Sequence, residues 1–265
     1  MAWQRIWALM SRHFYVIRRN PMRIAELVYW PLLDLLIWGF LSVYLNRFGH
    51  TGAVPNFLAF FLGALILWDL LFRAQQGVSI AYLEEVWSRN LLNLFVSPLS
   101  VGEFLAATVL ISLSKLALST VLMSIFAALF YGFNILILGW SLLPFVTALL
   151  LMGWALGIFT TAVVLRYGQG AESLAWVLAF LFQPLSAVFY PVSVLPSAMR
   201  PLALALPSAH VFEGMRAVIR TGHVPLGHLA WAFGLDVVYA AASVAFFYWN
   251  FGVVRDRGLL AKTGE

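Results

Sequence analysis

Six long apolar stretches constrain this chain more than any other feature of its sequence. They cover residues 25–46, 57–78, 104–131, 139–165, 173–190 and 227–252. Each is near the roughly 20 residues that a helix needs to cross a bilayer, and none shows the alternation of a β-barrel strand. Only 10% of residues are charged, against roughly 25% in soluble domains. The chain is therefore predicted to be an all-α polytopic membrane protein with six transmembrane helices, in a single transmembrane domain over residues 1–265.

The arginines and lysines predict the orientation. The arm before the first stretch carries five arginines, whereas the 47–56 loop has one and the 132–138 loop has none. Residues 191–226 carry three arginines and count against this pattern. The sum still favours both termini in the cytoplasm. The net charge of +5 is then a membrane signal, and no nucleic-acid partner is expected. Because no apolar core separates the arginines of the arm, no cleavable signal peptide is expected either.

Residues 1–22 are predicted to form a cytoplasmic helix that lies at the membrane interface. Its apolar residues recur at helical spacing on one face: Trp3, Trp7, Met10, Phe14 and Ile17. Its basic residues are spaced seven apart and therefore share another face: Arg5, Arg12 and Arg19. An apolar face with tryptophan and a basic face is typical of a helix at the headgroup surface. An amphipathic helix packed on the bundle fits the same pattern.

The segment 191–226 is too apolar for a free loop and too often interrupted by proline for a span. Pro201 and Pro207 can each open a short helix, because proline is tolerated in a first turn. Ser208 can cap the second of these helices. We expect an outer-side pair of short re-entrant helices between spans 5 and 6, whose backbone polar groups are satisfied within the protein or by water. A simple extracellular loop is the alternative.

Motifs for catalysis and metal binding are missing from the sequence. It has no G-x-x-x-x-G-K-[ST], H-E-x-x-H or G-x-S-x-G and no cysteine. No catalytic residues, no metal site and no P-loop for ATP are therefore expected in this chain. His210 and Glu213 can share a helix face, but two residues alone are weak grounds for a metal.

Ionisable residues within the apolar stretches are functional candidates because they are costly in lipid. They are Glu26, Asp34, Asp69, Lys115 and Asp236. Asp69 can pair with Arg73 four residues on, and it could meet Lys115 near mid-bilayer. Such charges fix helix packing or relay ions. Asp236 has no obvious partner in the sequence, and we expect it to face a wet cavity or a second copy.

Aromatic residues are abundant in the first and fifth stretches. Those that could line a substrate path are Trp30, Trp38, Phe180, Phe182 and Phe189. Packing within the bundle and interface belts are the alternative uses of such residues.

Residues 80–98 are a short polar island between spans 2 and 3. Apolar residues recur there at i+4 spacing, at Leu83, Trp87, Leu91 and Phe95, and Pro98 stops the helix. The polar members of the island are Glu84, Glu85, Arg89 and Asn90. The pattern predicts one cytoplasmic helix, which either rests on the membrane as a connector or docks a cytoplasmic partner in a groove.

Three segments together resemble the permease subunits of type-two ABC exporters, the ABC-2-type transporter family. They are the basic amphipathic arm, the run RNLLNLFVSPLSVGEF at 89–104, and the run FYPVSVLPSAMRPLALALPSAHVFEGMRAVIR at 189–220. With the six-span layout, the resemblance extends over nearly the whole chain. Each motif is loose alone, and their order and spacing make the resemblance specific.

The resemblance implies a transport subunit in a bacterial inner membrane, which pairs with a second copy and binds one cytoplasmic ABC ATPase subunit per copy. ATP and Mg²⁺ would be bound by the ATPase, and this chain would hold no cofactor. Residues 80–98 would be the coupling helix that, with the N-terminal helix, receives the ATPase stroke. Spans 1 and 5 would border the path of an amphipathic, lipid-like, drug or glycan substrate. An ion-coupled transporter or channel that uses Asp34, Asp69 and Asp236 remains open, as does a lipid-modifying enzyme.

Overall fold

The computed structural model describes residues 2–48, 57–132, 139–140 and 142–257. Within these ranges there are ten α-helices and no strand, so the all-α prediction is confirmed for the described part of the chain. The helices are Ala2–Arg18 (α1), Pro21–Phe48 (α2), Phe57–Trp87 (α3), Leu91–Val96 (α4), Val101–Tyr131 (α5), Leu142–Tyr167 (α6), Leu174–Phe182 (α7), Arg200–Leu204 (α8), Pro207–Thr221 (α9) and Leu226–Asp256 (α10).

Four of the described helices are long and apolar enough to cross a membrane. They are α2, over Ile24–Leu41, and α5, α6 and α10. The predicted span 57–78 lies within α3, which continues as one helix to Trp87. The predicted span 173–190 is α-helical only over α7 and continues in turns. A count of six spans therefore stays a prediction.

Helix α6 is the centre of the bundle. Of the apolar, membrane-spanning segment of α6, 78% is buried inside the protein. The corresponding segments of α2 and α10 are only 18% and 17% buried. Two glycines of α6 lie directly against the backbone of α3. A Cβ at Gly153 would lie 2.6 Å from the carbonyl oxygen of Leu71, and one at Gly157 would lie 2.8 Å from that of Gln75. The G-x-x-x-G spacing thus lets the two helices approach closely, as it does in many membrane bundles.

The contacts between helices fix their directions. Because Leu71 meets Gly153 and Gln75 meets Gly157, α3 and α6 run in parallel. Helix α5 runs antiparallel to α3, since the Ser112 hydroxyl donates to the carbonyl of Ala74 (3.1 Å) while Phe104 packs on Tyr82 (centroids 6.1 Å apart). The end of α3, the start of α5 and the end of α6 therefore share one end of the bundle. Helix α1 packs there, and we refer to it as the α1 end.

Helices α8 and α9 lie at the opposite end. The Arg216 guanidinium lies over the ring of Phe60 near the start of α3 (5.6 Å), and Gly214 lies against Phe145 near the start of α6. Pro201 and Pro207 each occupy a first helical turn, as predicted. Whether these helices re-enter the membrane stays a prediction.

The predicted cap of α9 is wrong. The residue at the N-cap is Leu206, which makes no side-chain cap bond. Ser208 lies inside the first turn, where its hydroxyl instead bonds that of Ser186 at 2.7 Å. Proline at the first helical position starts the helix without a capping side chain, because its fixed φ is already helical and it has no N–H to satisfy.

Candidate functional site at the α1 end

The polar island is not one helix, which corrects the prediction for residues 80–98. Helix α3 ends at Trp87 and α4 begins at Leu91. Arg89 between them has a left-handed φ of 53°. The N–H of Asn90 donates to the carbonyl of Glu85 and that of Arg89 to Val86, both at 3.0 Å. These two bonds define a Schellman turn. The sequence hid it because the apolar i+4 spacing continues across the turn and arginine occupies the position that usually holds glycine.

The acidic pair of the island binds α1. The Glu84 carboxylate lies 3.1 Å from Nδ1 of His13. Glu85 forms an ion pair with Arg12 and accepts a hydrogen bond from the Asn90 amide at 2.8 Å. The Glu85 side chain is only 7% exposed. Burial lowers the pKa of Arg12, and the neighbouring Glu84 opposes that effect. Both carboxylates thus hold α1 against the end of α3.

A second ion pair joins α1 to the start of α5. Arg5 lies 2.9 Å from Glu103 and also donates to the carbonyl of Pro98. Glu103 belongs to a capping box, in which the Ser100 N–H donates to the carboxylate (2.8 Å) and the Glu103 N–H to the Ser100 hydroxyl (3.2 Å). The S-x-x-E spacing at 100–103 could have revealed this cap from the sequence. We call the contacts of α1 with α3 and α5 the α1 junction.

The predicted apolar stripe of α1 is divided between two environments. Met10 and Ile17 are buried against the bundle, together with Leu9 and His13. Trp3 and Trp7 are 61% and 58% exposed, and Phe14 is 38% exposed. On the basic face Arg5 and Arg12 form intrachain ion pairs, while Arg19 is exposed. The helix packs on the bundle, and contact of its exposed tryptophans with a membrane surface stays a prediction.

The outward-facing part of the island is the turn itself, residues 87–90. Trp87, Ser88 and Arg89 are exposed, whereas Asn90 is half-buried. The Trp87 indole N–H donates to the Glu172 carboxylate at 3.0 Å, which ties the turn to the segment after α6. The predicted contact residue Leu91 has a side chain outside the described part of the structure.

One predicted ion pair within the spans is confirmed. Arg73 Nε lies 2.6 Å from Asp69, and both side chains are largely buried. Asp34 is close enough to interact electrostatically with both. Lys115 lines a cavity with Arg73 and Glu26, and its predicted meeting with Asp69 stays a prediction.

Asp236 is enclosed by its own chain, with 1% of its surface exposed. Neither carboxylate oxygen has a hydrogen-bond partner among the described residues. This burial speaks against the prediction that Asp236 faces a second copy. At the opposite end His210 and Glu213 turn to different neighbours, since His210 meets His228 (Nδ1 to Nδ1, 3.3 Å) while Glu213 pairs with Arg216 (3.1 Å).

The predicted path residues lie in separate places. Trp38 and Phe189 stack on each other with centroids 6.0 Å apart, and Phe61 completes this cluster. Phe180 packs on Phe72 instead. Trp30 lines the cavity near the α1 end, and Phe182 packs half-buried against the main core. The structure therefore brings only two of the five residues together.

The helices and their composition define a polytopic membrane protein, and the comparison with protein families identifies its kind. The ABC-2 type transporter family matches residues 4–219. The chain belongs to the ABC-2 type transporter family and is a membrane subunit of an ABC transporter. A search of curated proteins found no match.

Proposed function

We propose that this chain is the membrane-spanning subunit of an ATP-driven exporter. It moves an amphipathic, lipid-like, drug or glycan substrate out of the cytoplasm or the inner leaflet, and a separate subunit hydrolyses ATP. In this proposal two copies assemble in a bacterial inner membrane with both termini in the cytoplasm. The α1 end then faces the cytoplasm and the ATPase.

The α1 junction is the observation that carries this proposal. Its ion pairs join α1, the end of α3 and the start of α5, so a force on the turn at 87–90 reaches three elements of the bundle together. A ligand shifts a conformational equilibrium only through contacts that differ between the two states. ATP binding in the partner supplies that difference, and the exposed turn receives it.

The junction also changes which residues should contact the ATPase. Because Glu84 and Glu85 are occupied by His13 and Arg12, their proposed role is to transmit force within the chain. Direct contact with the partner falls to Trp87 and Arg89, which are exposed.

The test begins with affinity purification of the tagged chain from its native membrane and identification of a co-purifying subunit with a Walker A motif. The complex is then reconstituted in vesicles, and ATP hydrolysis and substrate efflux are measured for Arg89→Glu. We expect hydrolysis to persist while efflux per ATP falls at least tenfold, because the charge reversal disrupts the contact and leaves the ATPase site intact.

Arg255→Glu is the matched control, since Arg255 is an exposed arginine at the end of α10. It should leave efflux per ATP unchanged. Transport that needs no ATPase and follows an ion gradient would contradict the proposal and favour an ion-coupled transporter. Unchanged efflux per ATP in Arg89→Glu would contradict only the proposal that the turn at 87–90 contacts the ATPase, and not the exporter function itself.

A further inference from the structure

A cavity of about 280 Å³ lies near the α1 end, between α1, α2, α3, α5 and α7. Of its lining residues, Glu84 and Trp87 also belong to the proposed coupling site, and the deeper ones have no role in that coupling. One face of α3 forms its long wall, with Arg73, Ile80, Glu84 and Trp87 at helical spacing. At 1.5 Å per residue, Arg73 and Trp87 are about 21 Å apart along the helix. The cavity is therefore an elongated groove along α3.

Charges of opposite sign separate along this groove. Arg73 and Lys115 lie at its deep end, each about 14 residues, or about 21 Å, from the helix terminus at the α1 end. Arg73 also pairs through its Nε with Asp69 (2.6 Å), so Lys115 carries more of the positive charge that the groove offers. Glu84 lies on α3 near the mouth, and Glu26 lies on α2 close to that helix's start at the same end. A ligand with a negative group inside and a positive group toward the mouth matches this arrangement.

Three tryptophans from three helices form the rim. Trp30, Trp87 and Trp176 line the cavity and are 58%, 45% and 48% exposed. Indole faces attract ammonium groups, and tryptophan is favoured at the headgroup level of a membrane. The rim thus suits the positive end of the same ligand.

A buried hydroxyl in the wall points to an occupant. Ser119 lines the cavity and is 1% exposed. Its Oγ has no hydrogen-bond partner in the part of the chain that the structure describes. A buried polar atom left unpaired is destabilising, and a ligand acceptor such as a phosphate oxygen would satisfy it.

We propose that this cavity binds a zwitterionic amphiphile with the chemistry of a phosphoethanolamine headgroup. The phosphate binds Arg73, Lys115 and the Ser119 hydroxyl, and the ammonium lies near Glu26 and the tryptophans. The volume is just below the roughly 300–1,000 Å³ of typical ligand pockets, which suits a headgroup and is too small for a glycan chain. The site lies within one copy and does not depend on an ATPase.

The test is binding to the purified, delipidated full-length chain in detergent, followed by native mass spectrometry. The probes are dihexanoyl-phosphatidylethanolamine, anionic dihexanoyl-phosphatidylglycerol, and glycerophosphoethanolamine, which is the headgroup without chains. We expect one saturable phosphatidylethanolamine per chain. Lys115→Gln should weaken the binding of both lipids about tenfold, because it removes a charge-assisted hydrogen bond to the phosphate. Glu26→Gln should weaken the binding of phosphatidylethanolamine, whose ammonium lies near Glu26, and leave the binding of phosphatidylglycerol unchanged.

Two serine variants on α5 test whether the ligand binds in the cavity, because one serine lines the cavity and the other does not. Ser119→Val removes the hydroxyl and places a bulkier apolar side chain in the cavity, so it should abolish binding. Ser114→Val on the exposed face of the same helix should not change it. Thermal unfolding checks that each variant is folded, and Leu116→Phe is the alternative cavity-filling variant.

Glycerophosphoethanolamine distinguishes a membrane lipid from a free, chainless compound as the ligand. Binding of glycerophosphoethanolamine as tight as that of the lipid identifies a free zwitterion as the ligand, and binding that requires the chains identifies a lipid. The proposal is overturned if no lipid saturates, if Glu26→Gln affects both lipids equally, or if the cavity-filling variants bind normally.

Discussion

Arg89 has a backbone conformation that L-residues avoid. Its left-handed φ of 53° brings Cβ close to the following carbonyl, at a cost of roughly 1–2 kcal/mol. Glycine would adopt the same conformation without that cost. Arginine nevertheless occupies this exposed position of the turn, which fits a role for its side chain in contact with a partner.

Arg89→Gly is expected to stabilise the purified chain by about 1 kcal/mol, because it removes the Cβ strain and keeps the Schellman turn. Arg89→Ala keeps Cβ and should bring no such gain. The measurement is the midpoint of thermal unfolding in detergent for both variants. Equal stability of the two variants would show that the left-handed turn carries no strain.

At the scale of the elements, the contact between α3 and α6 depends on two glycines. The backbone of α3 occupies the space where a side chain at Gly153 or Gly157 would lie. Since lipid supplies little hydrophobic drive for helices to associate, close packing of small residues is a main source of their contact.

Gly157→Leu should destabilise the bundle by about 1–3 kcal/mol, the usual cost of overpacking. The larger side chain must push Gln75 and Val78 of α3 away. Gly234→Leu on α10 is the matched control, because a Cβ there meets nothing within 4 Å. Resistance to unfolding by sodium dodecyl sulphate compares the two variants. An equal loss in both would locate the effect outside the α3–α6 contact.

The packing of α9 is expected to depend on pH through His210. Burial lowers the pKa of this histidine below its ordinary value of about 6.5. The bond of its Nε2 to the Leu204 carbonyl and the nearby Glu213 oppose that effect, whereas His228 adds to it. The unfolded state therefore binds the proton first on acidification. The stabilisation is full above about pH 6.5 and is lost as pH falls through the lowered pKa.

Thermal unfolding between pH 8 and pH 5 measures this dependence. His210→Gln should flatten the fall in stability below pH 6.5, because it removes the group that takes up the proton. His223→Gln, at an exposed position, should keep the wild-type profile. An unchanged profile in His210→Gln would exclude His210 as the titrating group.

At the scale of the whole molecule, α2 is one of the helices that leave large aromatic residues uncovered. Its apolar segment is only 18% buried, and Tyr29, Phe40 and Tyr44 are more than half exposed. An exposed apolar face of a membrane protein contacts either lipid or another helix. In the proposed exporter α2 lies along the path between two copies.

The absence of cysteine from the sequence allows a direct test of this assembly. Phe40→Cys should give a crosslinked dimer in native membranes with a short bis-maleimide linker. Val237→Cys on the exposed face of α10 (69% exposed) is the control and should remain monomeric. Crosslinking at Val237 without crosslinking at Phe40 would place the second copy on the other side of the bundle.

The sequence by itself determined the class of protein and much of its helical layout. Apolar length and scarce charge leave few folds other than a helical membrane bundle, because backbone polar groups in lipid must be paired within each helix. The Asp69–Arg73 pair was also predictable, since it depends on spacing within one helix. The prolines in the first turns of α8 and α9 were predictable because proline has a helical φ and no N–H to satisfy.

The tertiary structure alone decided which side chains the bundle uses internally. The sequence placed Glu84 and Glu85 among the candidate contacts with a cytoplasmic partner, yet His13 and Arg12, about 70 residues earlier in the chain, pair with them. The turn at Arg89, the enclosure of Asp236 and the cavity beside Ser119 likewise depend on contacts between distant segments. Periodicity reports which face of a helix is apolar, and it carries no information on which distant element that face or its charges will meet.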